Sequence, residues 1–586
     1  MAEFKSRRAL KLALEHHQAG RLAPAEALYR EILAHDPGSV DGLHGLGIIA
    51  LQVGQHTLAV DLIGQAVARA PGHAAIHANL GEAYRNLHRL DEAVASFRRA
   101  LALQPKLPSA LNNLANALAV QGKVDEAIAC CQRAIALQPN FANAHNNLGI
   151  CLAGTGRFEE AIAAYERAIR LKPDLADAHN NLGSALIRRR QLDEALACYQ
   201  RALALRPGSA EVHDNLGGVF KEQGRLDEAL ACYRQALVLR PDYSAAHSDL
   251  IFVLHYRFGD DAGAIDAELG RWNIQHARPL GRCIPPHLND RSPDRRLRIG
   301  YLSPDFRSHP VGWFLRPLFA HHDRQAFEFF CYANVQRPDH FTTELRAGVD
   351  GWRDLAGQTD QQVADLIRAD RIDILVDLAL HTEGNRLLVC ARKPAPVQAT
   401  YLAYPGNSGL DTIDYRLTDP HLDPSNQETR PGPEQPFRLP DTYWCYQPVV
   451  HPAPAVTPLP ALAAGYITFG CLNNFGKVTP AALAAWCRLL AAVPNAHLLL
   501  HTHPGSHRSR LHDLFARNGI DPGRLRFSAQ VPAERYFQLY QSIDIGLDPF
   551  PFPGGTTTCD ALWMGVPVIT LAGPTPVTRG GFSVLS

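Results

Sequence analysis

One segment near the end of the chain combines residue types that suit phosphate binding, DIGLDPFPFPGGTTTCDALWMGVPVITL at 544–571. The pattern predicts a strand that ends at Asp548, a loop rich in Pro and Gly, and a helix over 556–564. The first backbone N–H groups of a helix have no partner within it and carry positive potential, so they favour a phosphate or a diphosphate. The segment therefore predicts a site for a phosphorylated ligand, with a plain threonine-capped helix as the alternative.

The side chains of this turn suggest distinct roles. Gly554 and Gly555 would let the backbone approach a ligand closely, because glycine has no Cβ. The hydroxyl groups of Thr556 and Thr557 add hydrogen-bond donors. The carboxylate of Asp560, one turn further on, could accept a hydrogen bond from a ribose hydroxyl.

Short apolar runs alternate with helical segments around this site. Such alternation predicts βαβ units and mostly parallel sheets, which bind ligands at the carboxyl ends of their strands. A Pro-rich stretch at 447–462 separates two blocks, which predicts two doubly wound lobes with a cleft between them. The predicted strands are 297–303, 327–335, 372–378 and 397–404 in the first lobe, and 466–472, 497–502, 525–530, 544–550 and 566–571 in the second.

A repeat fills the first two-fifths of the chain. In the unit at 142–175, Leu148 and Leu152 share one helix face, Gly149 is small where two helices would cross, and Gly156 is suited to end the first helix. A single helix pair cannot bury its apolar face, so such units stack into a superhelix with a concave surface. The period of 34 residues is marked by Pro37, Pro71, Pro105, Pro139, Pro173, Pro207 and Pro241.

One column of this repeat predicts a binding role. Side-chain amides carry both donors and acceptors, so a row of them along a groove could hold an extended peptide by its backbone. The alternative is that each amide bonds within the repeat array. The column consists of Asn79, Asn113, Asn147, Asn181 and Asn215, with Asp249 next in register.

Composition excludes several classes of protein. The 586 residues contain 58 Lys+Arg and 58 Asp+Glu, so no overall charge favours nucleic acid or an anionic membrane. The first residues lack the apolar core of a signal peptide, and no apolar run is long enough to span a bilayer. The expectation is a cytoplasmic protein that binds neither nucleic acid nor membrane.

Three further motifs occur in a fixed order: IGYLSPDFRSHPVGWFL at 299–315, APVQATYLAYPGNSGLDTIDYRLTDP at 395–420, and FGCLNNFGKVTP at 469–480 before the turn described above. With the repeats in front, which resemble tetratricopeptide repeats, the chain resembles the O-linked N-acetylglucosamine transferase family, including its SPINDLY-type members. The resemblance covers nearly the whole chain. It implies an all-α tetratricopeptide superhelix followed by a two-lobed α/β glycosyltransferase domain of the GT-B type.

The resemblance also implies roles for single residues. His309 matches a histidine beside the reacting centre, and His is a reasonable general base near neutral pH. Lys477 matches a lysine that contacts the donor diphosphate, and Asn474 matches an amide residue at the same site. His381, in HTEGNR, is a candidate acceptor-side or sugar-side group, although many relatives have GHT where this chain has Leu380-His381-Thr382.

The nucleoside of the donor is expected at 528–542. Backbone groups near Val531 could read a uracil, and Tyr536 could stack on the ribose or bond to it. The animal relatives have Lys and His where this chain has Ala533 and Tyr536. This difference leaves the detailed donor contacts open.

The implied activity is transfer of N-acetylglucosamine from UDP-GlcNAc to Ser or Thr hydroxyls of polypeptides, with inversion. Neither lobe has an Asp-x-Asp motif, and with Lys477 and a helix N-terminus available for the diphosphate no metal or other cofactor is required. Three alternatives remain open at this point: transfer of fucose from GDP-fucose, transfer of glucose to Asn, and a non-enzymatic scaffold.

The last predicted strand is followed by only 15 residues, whereas the second lobe of the family continues with more helices. The sequence therefore predicts an incomplete second lobe with reduced stability, and leaves activity of the chain as given open. The predicted domains are seven repeats at 6–243, a degenerate repeat and linker at 244–294, the first lobe at 295–447, a linker at 448–463, and the second lobe at 464–586.

Overall fold

The computed structural model describes residues 2–257, 262–425 and 432–586. The chain forms two compact units, Met1–Arg189 and Arg190–Ser586. The sequence places the end of the repeats at 243, whereas the boundary between the compact units falls inside the repeat region. Across the described residues, no helix is both long enough and apolar enough to cross a membrane.

The first unit consists of repeat helices, and successive helix pairs recur at the predicted period. Small residues allow the two helices of a pair to approach: a Cβ on Gly149 would lie 2.5 Å from the Tyr165 ring. Gly156 has a φ of 85°, so it ends its helix in the left-handed conformation that the sequence predicts. The helices are α1 Ala2–Gln18, α2 Leu22–His35, α3 Val40–Gln52, α4 His56–Arg69, α5 Ala74–Asn86, α6 Leu90–Leu103, α7 Pro108–Val120, α8 Val124–Leu137, α9 Ala142–Gly154, α10 Phe158–Leu171 and α11 Ala176–Arg188.

The second unit begins with further repeat helices. The degenerate eighth repeat predicted from Ser244 is present, and its second helix continues as a π-helix over Asn273–Ala277. Trp272, 1% exposed, packs in one apolar cluster with residues of the first lobe such as Leu410. These helices are α12 Leu192–Leu205, α13 Ala210–Glu222, α14 Leu226–Leu239, α15 Ser244–Leu254 and α16 Ala262–Trp272.

The first lobe is a seven-stranded parallel sheet with helices between its strands. Its strand order is β3-β2-β1-β4-β5-β6-β7. The four predicted strands are present, and three others of four residues each were missed because their sequences GWRD, YRLT and QPFR carry no apolar run. The elements are β1 Leu297–Ser303, α17 Pro310–Ala320, β2 Phe327–Ala333, α18 His340–Ala347, β3 Gly351–Asp354, α19 Asp360–Ala369, β4 Ile374–Asp377, α20 Leu387–Cys390, β5 Val397–Thr400, β6 Tyr415–Thr418 and β7 Gln435–Arg438.

The second lobe is a five-stranded parallel sheet in the order β10-β9-β8-β11-β12. All five predicted strands are present, each shorter than its apolar run. This order places the topological switch point between β8 and β11, where doubly wound sheets bind ligands. The elements are α21 Pro460–Ala464, β8 Thr468–Cys471, α22 Pro480–Ala492, β9 His497–His501, α23 Ser506–Arg517, β10 Leu525–Ser528, α24 Ala533–Tyr540, β11 Ile545–Leu547, α25 Thr556–Trp563, β12 Val568–Ile569 and α26 Gly580–Leu585.

The final helix α26 returns to the first lobe. Ser583 donates a hydrogen bond of 2.6 Å to the buried carboxylate of Asp419, and Arg579 donates one of 2.6 Å to the His421 carbonyl. The indole of Trp444 donates to the Ser583 hydroxyl at 3.0 Å. The two lobes are therefore tied together by the residues that follow the last strand.

Substitution of Gly149 by alanine tests the helix contact in the repeats. The added methyl group would lie 2.5 Å from the Tyr165 ring, and such overpacking costs about 1–3 kcal/mol of the free energy of unfolding. The matched control is Gly154→Ala in the same helix, where nothing lies within 4 Å and alanine should stabilise by about 0.5–1 kcal/mol. Urea denaturation followed by circular dichroism measures both, and equal effects of the two variants would contradict the packing argument.

Candidate functional site

A cleft of about 470 Å³ lies at the carboxyl ends of the second lobe's strands. Loops after β8, β9, β10 and β11 all contribute to its walls, and the start of α17 from the first lobe faces them. Its lining comprises Arg190, Leu192, Glu222, Ser308, Pro310, Trp313, Val449, Leu472, Asn474, Phe475, His501, Thr502, His503, His507, Gln530, Val531, Ala533, Tyr536, Thr556, Thr557 and Asp560.

The N-terminus of α25 opens into this cleft as the sequence predicts. Its N-cap residue, Gly555, offers no side-chain cap, so the first N–H groups of the helix remain for a ligand. Thr556 and Thr557 line the cleft, and the hydroxyl of Thr557 donates to the Asn473 side chain at 2.8 Å. The turn can therefore receive an anionic group.

The structure gives another reason for the two glycines of this turn. A Cβ on Gly554 would lie 2.3 Å from Oγ1 of Thr557, and a Cβ on Gly555 would lie 2.7 Å from the ring of Trp444. Both glycines thus also make room for the protein's own side chains, and their close approach to a ligand stays a prediction. Gly554 is itself buried.

Lys477 lies beside the same turn. Its Nζ is 3.4 Å from the carbonyl oxygen of Pro553 and 4.3 Å from the ring centroid of Phe552. Burial lowers the pKa of Lys477 to about 8, although the nearby carboxylate of Asp548 opposes this shift. The ammonium group therefore stays charged at neutral pH, close to the helix N-terminus. Neighbouring Asn474 lines the cleft, and its side chain caps the following turn by accepting from Gly476 N at 2.9 Å.

Asp560 lines the cleft and forms a hydrogen-bonded group with two tyrosines. Its carboxylate accepts from the hydroxyl of Tyr446 at 2.5 Å and from that of Tyr536 at 3.0 Å. Tyr536 also bonds to the hydroxyl of Tyr540 at 2.8 Å. Burial raises the pKa of Asp560 to about 6. The predicted ribose contacts of Asp560 and Tyr536 therefore compete with bonds within the protein, while Val531, on the same wall, keeps an open face to the cleft.

His309 is the N-cap of α17, in a loop whose neighbours Ser308 and Pro310 line the cleft. Its Nδ1 lies 3.4 Å from Val311 N and 3.5 Å from a carboxylate oxygen of Asp305. Burial lowers the pKa of His309, although Asp305 opposes the shift. The imidazole is therefore mainly neutral at neutral pH, as a general base must be.

The structure does not bring His381 into the cleft. The side chain is 0% exposed, and both ring nitrogens are bonded, to the Ser248 hydroxyl at 3.0 Å and to the Ser408 carbonyl at 2.9 Å. The ring of Trp272 packs edge-on against it. This placement contradicts an acceptor-side or sugar-side role, because a fully enclosed ring cannot touch a substrate. His381 instead joins the last repeat helices to the first lobe.

The asparagine column is half-buried along the repeats. Within the first unit, Asn147 donates to Asn112 at 2.9 Å and Asn181 donates to Asn146 at 3.0 Å, each across one repeat. Asn79 makes the corresponding contact with His44 at 2.8 Å, and Asn113 accepts from Asn112 at 3.3 Å. Bonds within the array therefore orient these four amides, as the alternative reading expects, and binding of a peptide by the half-buried side chains stays a prediction. Asn215 and Asp249 are likewise half-buried in the second unit.

Several lining residues were not found from the sequence. Arg190 occupies the turn position that holds Gly20, Gly54, Gly122, Gly156 and Gly224 in other units, and it has a φ of 60°. His88 breaks the same glycine column with a φ of 58° and does not line the cleft, so the break alone would not have identified Arg190. His501 at the end of β9, His503 in the loop after it and Trp313 in α17 gave no signal, since no repeating pattern marks their positions.

The described residues contain no group of three or more His, Cys, Asp or Glu that could hold a metal ion. Lys477 and the N-terminus of α25 both place positive charge beside the 553–557 turn at the cleft. Two parallel α/β lobes, with this turn at the carboxyl ends of the strands and helical repeats in front, define a two-lobed glycosyltransferase.

The sequence matches the description "Glycosyl transferase family 41" over residues 247–445 and 457–586. The chain belongs to this family. Tetratricopeptide repeats match residues 44–108, 112–176 and 215–270, and a second tetratricopeptide description matches residues 174–242.

Among curated relatives, a tomato (Solanum lycopersicum) protein named "Probable UDP-N-acetylglucosamine--peptide N-acetylglucosaminyltransferase SPINDLY" is 39% identical over 305 residues, which cover 51% of this chain and 32% of that protein. The Caenorhabditis elegans UDP-N-acetylglucosamine--peptide N-acetylglucosaminyltransferase is 24% identical over 412 residues, covering 50% of this chain and 36% of its own. The chain therefore spans about a third of the length of these relatives. A solved structure of a lysine-to-methionine mutant of the Thermobaculum terrenum O-GlcNAc transferase is similar with a TM-score of 0.71 and 36% identity, covering 76% of this chain and 85% of that one.

Asp560→Asn tests the burial of this carboxylate. Because the folded pKa of about 6 lies above the unfolded value of roughly 3.9, the stability that the protonated group contributes is present below pH ~4 and is lost as the pH rises through about 6. The free energy of unfolding of the native chain should fall relative to the variant by roughly 2–3 kcal/mol between pH 4 and pH 7. Denaturation at a series of pH values measures this difference, with Asp513→Asn on the exposed face of α23 as the control. Parallel pH profiles for the native chain and Asp560→Asn would rule the assignment out.

Proposed function

We propose that this chain transfers N-acetylglucosamine from UDP-GlcNAc to Ser and Thr hydroxyls of polypeptides. The observation that carries the proposal is the meeting of Lys477 with the 553–557 turn at the edge of a nucleotide-sized cleft. Membership of the family and the names of its relatives support the choice of donor and acceptor.

The donor diphosphate would bind between the N-terminus of α25 and Lys477. Thr556 and Thr557 supply hydroxyl donors, and the ammonium group of Lys477 would stabilise charge that builds on the leaving diphosphate. The nucleoside would extend toward Val531, with backbone groups there reading the base. Tyr536 and Asp560 form the wall beneath it, where their mutual hydrogen bond holds the shape of the pocket.

Transfer with inversion requires the acceptor oxygen to attack the anomeric carbon on the face opposite the leaving diphosphate. The C–O bond to the acceptor forms as the bond to the diphosphate breaks, and the acceptor proton passes to a base. His309 is the residue we assign to this proton. Its Nε2 is basic in the tautomer whose Nδ1–H faces Asp305, whereas an Nδ1 that accepts from Val311 would leave Nε2 protonated. The base role therefore depends on Asp305.

The acceptor polypeptide would be held by side-chain amides of the repeats. Asn79, Asn113, Asn147 and Asn181 lie in the first unit and Asn215 in the second, and their oriented amides suit an extended backbone without reading its side chains. The sequence-based expectations of a cytoplasmic location, of no requirement for a metal, and of no nucleic-acid or membrane partner belong to the same proposal.

Substitution of Lys477 by alanine tests the proposed donor contact. Removal of a cation that acts on the developing charge should lower transfer by roughly 10²–10³-fold. The measurement is radiolabel transfer from UDP-GlcNAc to lysate proteins, and Lys123→Ala at an exposed repeat turn is the control. Full activity of Lys477→Ala would refute the assignment.

Thermal-shift titrations of the native chain with UDP-GlcNAc and GDP-fucose separate the donors, since only a bound donor raises the melting temperature. A chain that binds neither would leave the glucose-transfer and scaffold alternatives.

The pKa of Lys477 gives a second, independent test. Because the ammonium form is lost as the pH rises through about 8, the Kd for UDP should rise by up to about fivefold between pH 8 and pH 9. Lys477→Arg should bind UDP with little change over this range, because a guanidinium stays charged. Calorimetric titration at each pH measures the affinity. The same steep rise in the Arg variant would show that another group titrates.

A further inference from the structure

Two loops of the second lobe that line the cleft rest on turns of the helical repeats. We define the β8 loop as residues 472–479 and the β9 loop as residues 502–505. Both lie in the same compact unit as the repeat helices from α12 onward. We propose that the repeat turns position these two loops for the nucleotide, so that part of the donor site's order is supplied by the repeats; the inference rests on the proposed function.

The β9 loop is held by Asp193 at the start of α12. Asp193 accepts from the backbone N–H of Ser506 at 2.7 Å and from its hydroxyl at 2.7 Å. Ser506 is the first residue of α23, whose own N-cap, Gly505, provides no side-chain cap. An acidic group is favourable at a helix N-terminus, so a repeat residue caps a helix of the lobe. Partial burial opposes ionisation, but the bonds from Ser506 lower the pKa of Asp193.

The β8 loop is held by the turn after α13. A Cβ on Gly476 would lie 2.8 Å from the backbone oxygen of Lys221. On the repeat side, a Cβ on Gly224 would lie 3.3 Å from the ring of Phe475, whereas the equivalent turn glycines Gly54 and Gly122 have nothing within 4 Å. The repeat turn is therefore covered by the loop that carries Asn474 and Lys477. Both contacts leave too little room for the loop to shift toward the repeats.

The chain offers a matched pair of aspartates for a test. Asp193 accepts from Gln223, 30 residues later, at 2.8 Å, and Asp91 accepts from Gln121, also 30 residues later, at 2.8 Å. Only Asp193 also bonds to Ser506. Asp193→Ala and Asp91→Ala thus remove the same bond within the repeats, and their difference isolates the contact with the lobe.

Asp193→Ala should accelerate hydrogen exchange at residues 505–508 and raise the Kd for UDP by roughly fivefold, the size expected for loss of a helix cap. Asp91→Ala should change neither quantity. Asp193→Asn, which keeps one acceptor oxygen, should recover part of both effects, while the KM for an acceptor peptide stays near the native value in all three. The same exchange rates and Kd in Asp193→Ala and Asp91→Ala would overturn the proposal.

Gly476→Ala tests the second contact in the same way, with Gly208→Ala as the control because nothing lies within 4 Å of that glycine. Weaker UDP binding is expected only for Gly476→Ala. If the native chain binds no nucleotide at all, the proposed function fails, but the exchange experiment still decides whether Asp193 orders the β9 loop. Fast exchange at 505–508 in the native chain would refute the positioning role.

Discussion

The buried carboxylate of Asp548 fixes the turn on which the candidate site depends. Asp548 follows β11 and is 5% exposed. It accepts from Gly554 N at 3.2 Å and from the Thr558 hydroxyl at 3.0 Å, which bends the chain between the strand and α25. Burial raises its pKa to about 6, while hydrogen bonds from Thr558 and Gly554 oppose that shift. Its carboxylate also opposes the effect of burial, which lowers the pKa of Lys477 to about 8. One side chain thus sets the shape of the turn and favours the charged form of its cation.

Sequence patterns predicted this part of the structure well because local chemistry determines it. A β-strand followed by Gly and Thr leaves few alternatives to an open helix N-terminus, and a 34-residue period leaves few alternatives to stacked helix pairs. Strands such as Gly351–Asp354 and Gln435–Arg438 escaped prediction because parallel neighbours, and not an apolar run, hold them in the sheet. The sequence also did not indicate how deeply individual side chains are buried. His381 sits in a motif that pointed to a ligand, yet its ring is enclosed and bonded to protein atoms, whereas Asp560 lies on the cleft wall and is bonded to Tyr446.

His381 illustrates why a motif identifies a position more reliably than a role. The ring packs against Trp272 and bonds to Ser248, both from the last repeat helices. Nearby, His247 contacts His276 at 3.0 Å and Glu268 at 2.8 Å, so a group of buried polar side chains joins the repeats to the first lobe. Burial lowers the pKa of His381 to about 3, which keeps its ring neutral in that apolar setting. A histidine under these constraints can recur in a family for packing reasons alone.

The repeat units differ in whether the second lobe packs against them. In sequence, the unit that holds Gly122 and the unit that holds Gly224 follow one pattern, and the same helix-ending conformation is present in both, with φ values of 76° and 71°. Space around them differs: Gly122 faces an open surface, whereas Gly224 is covered by Phe475. In a solenoid, each helix pair contacts only the neighbouring pairs. The sequence pattern of one repeat unit therefore does not indicate whether a residue of the lobe packs against that unit. Contacts with the lobe therefore distinguish the unit that holds Gly224 from the unit that holds Gly122, and this distinction emerges only in the folded chain.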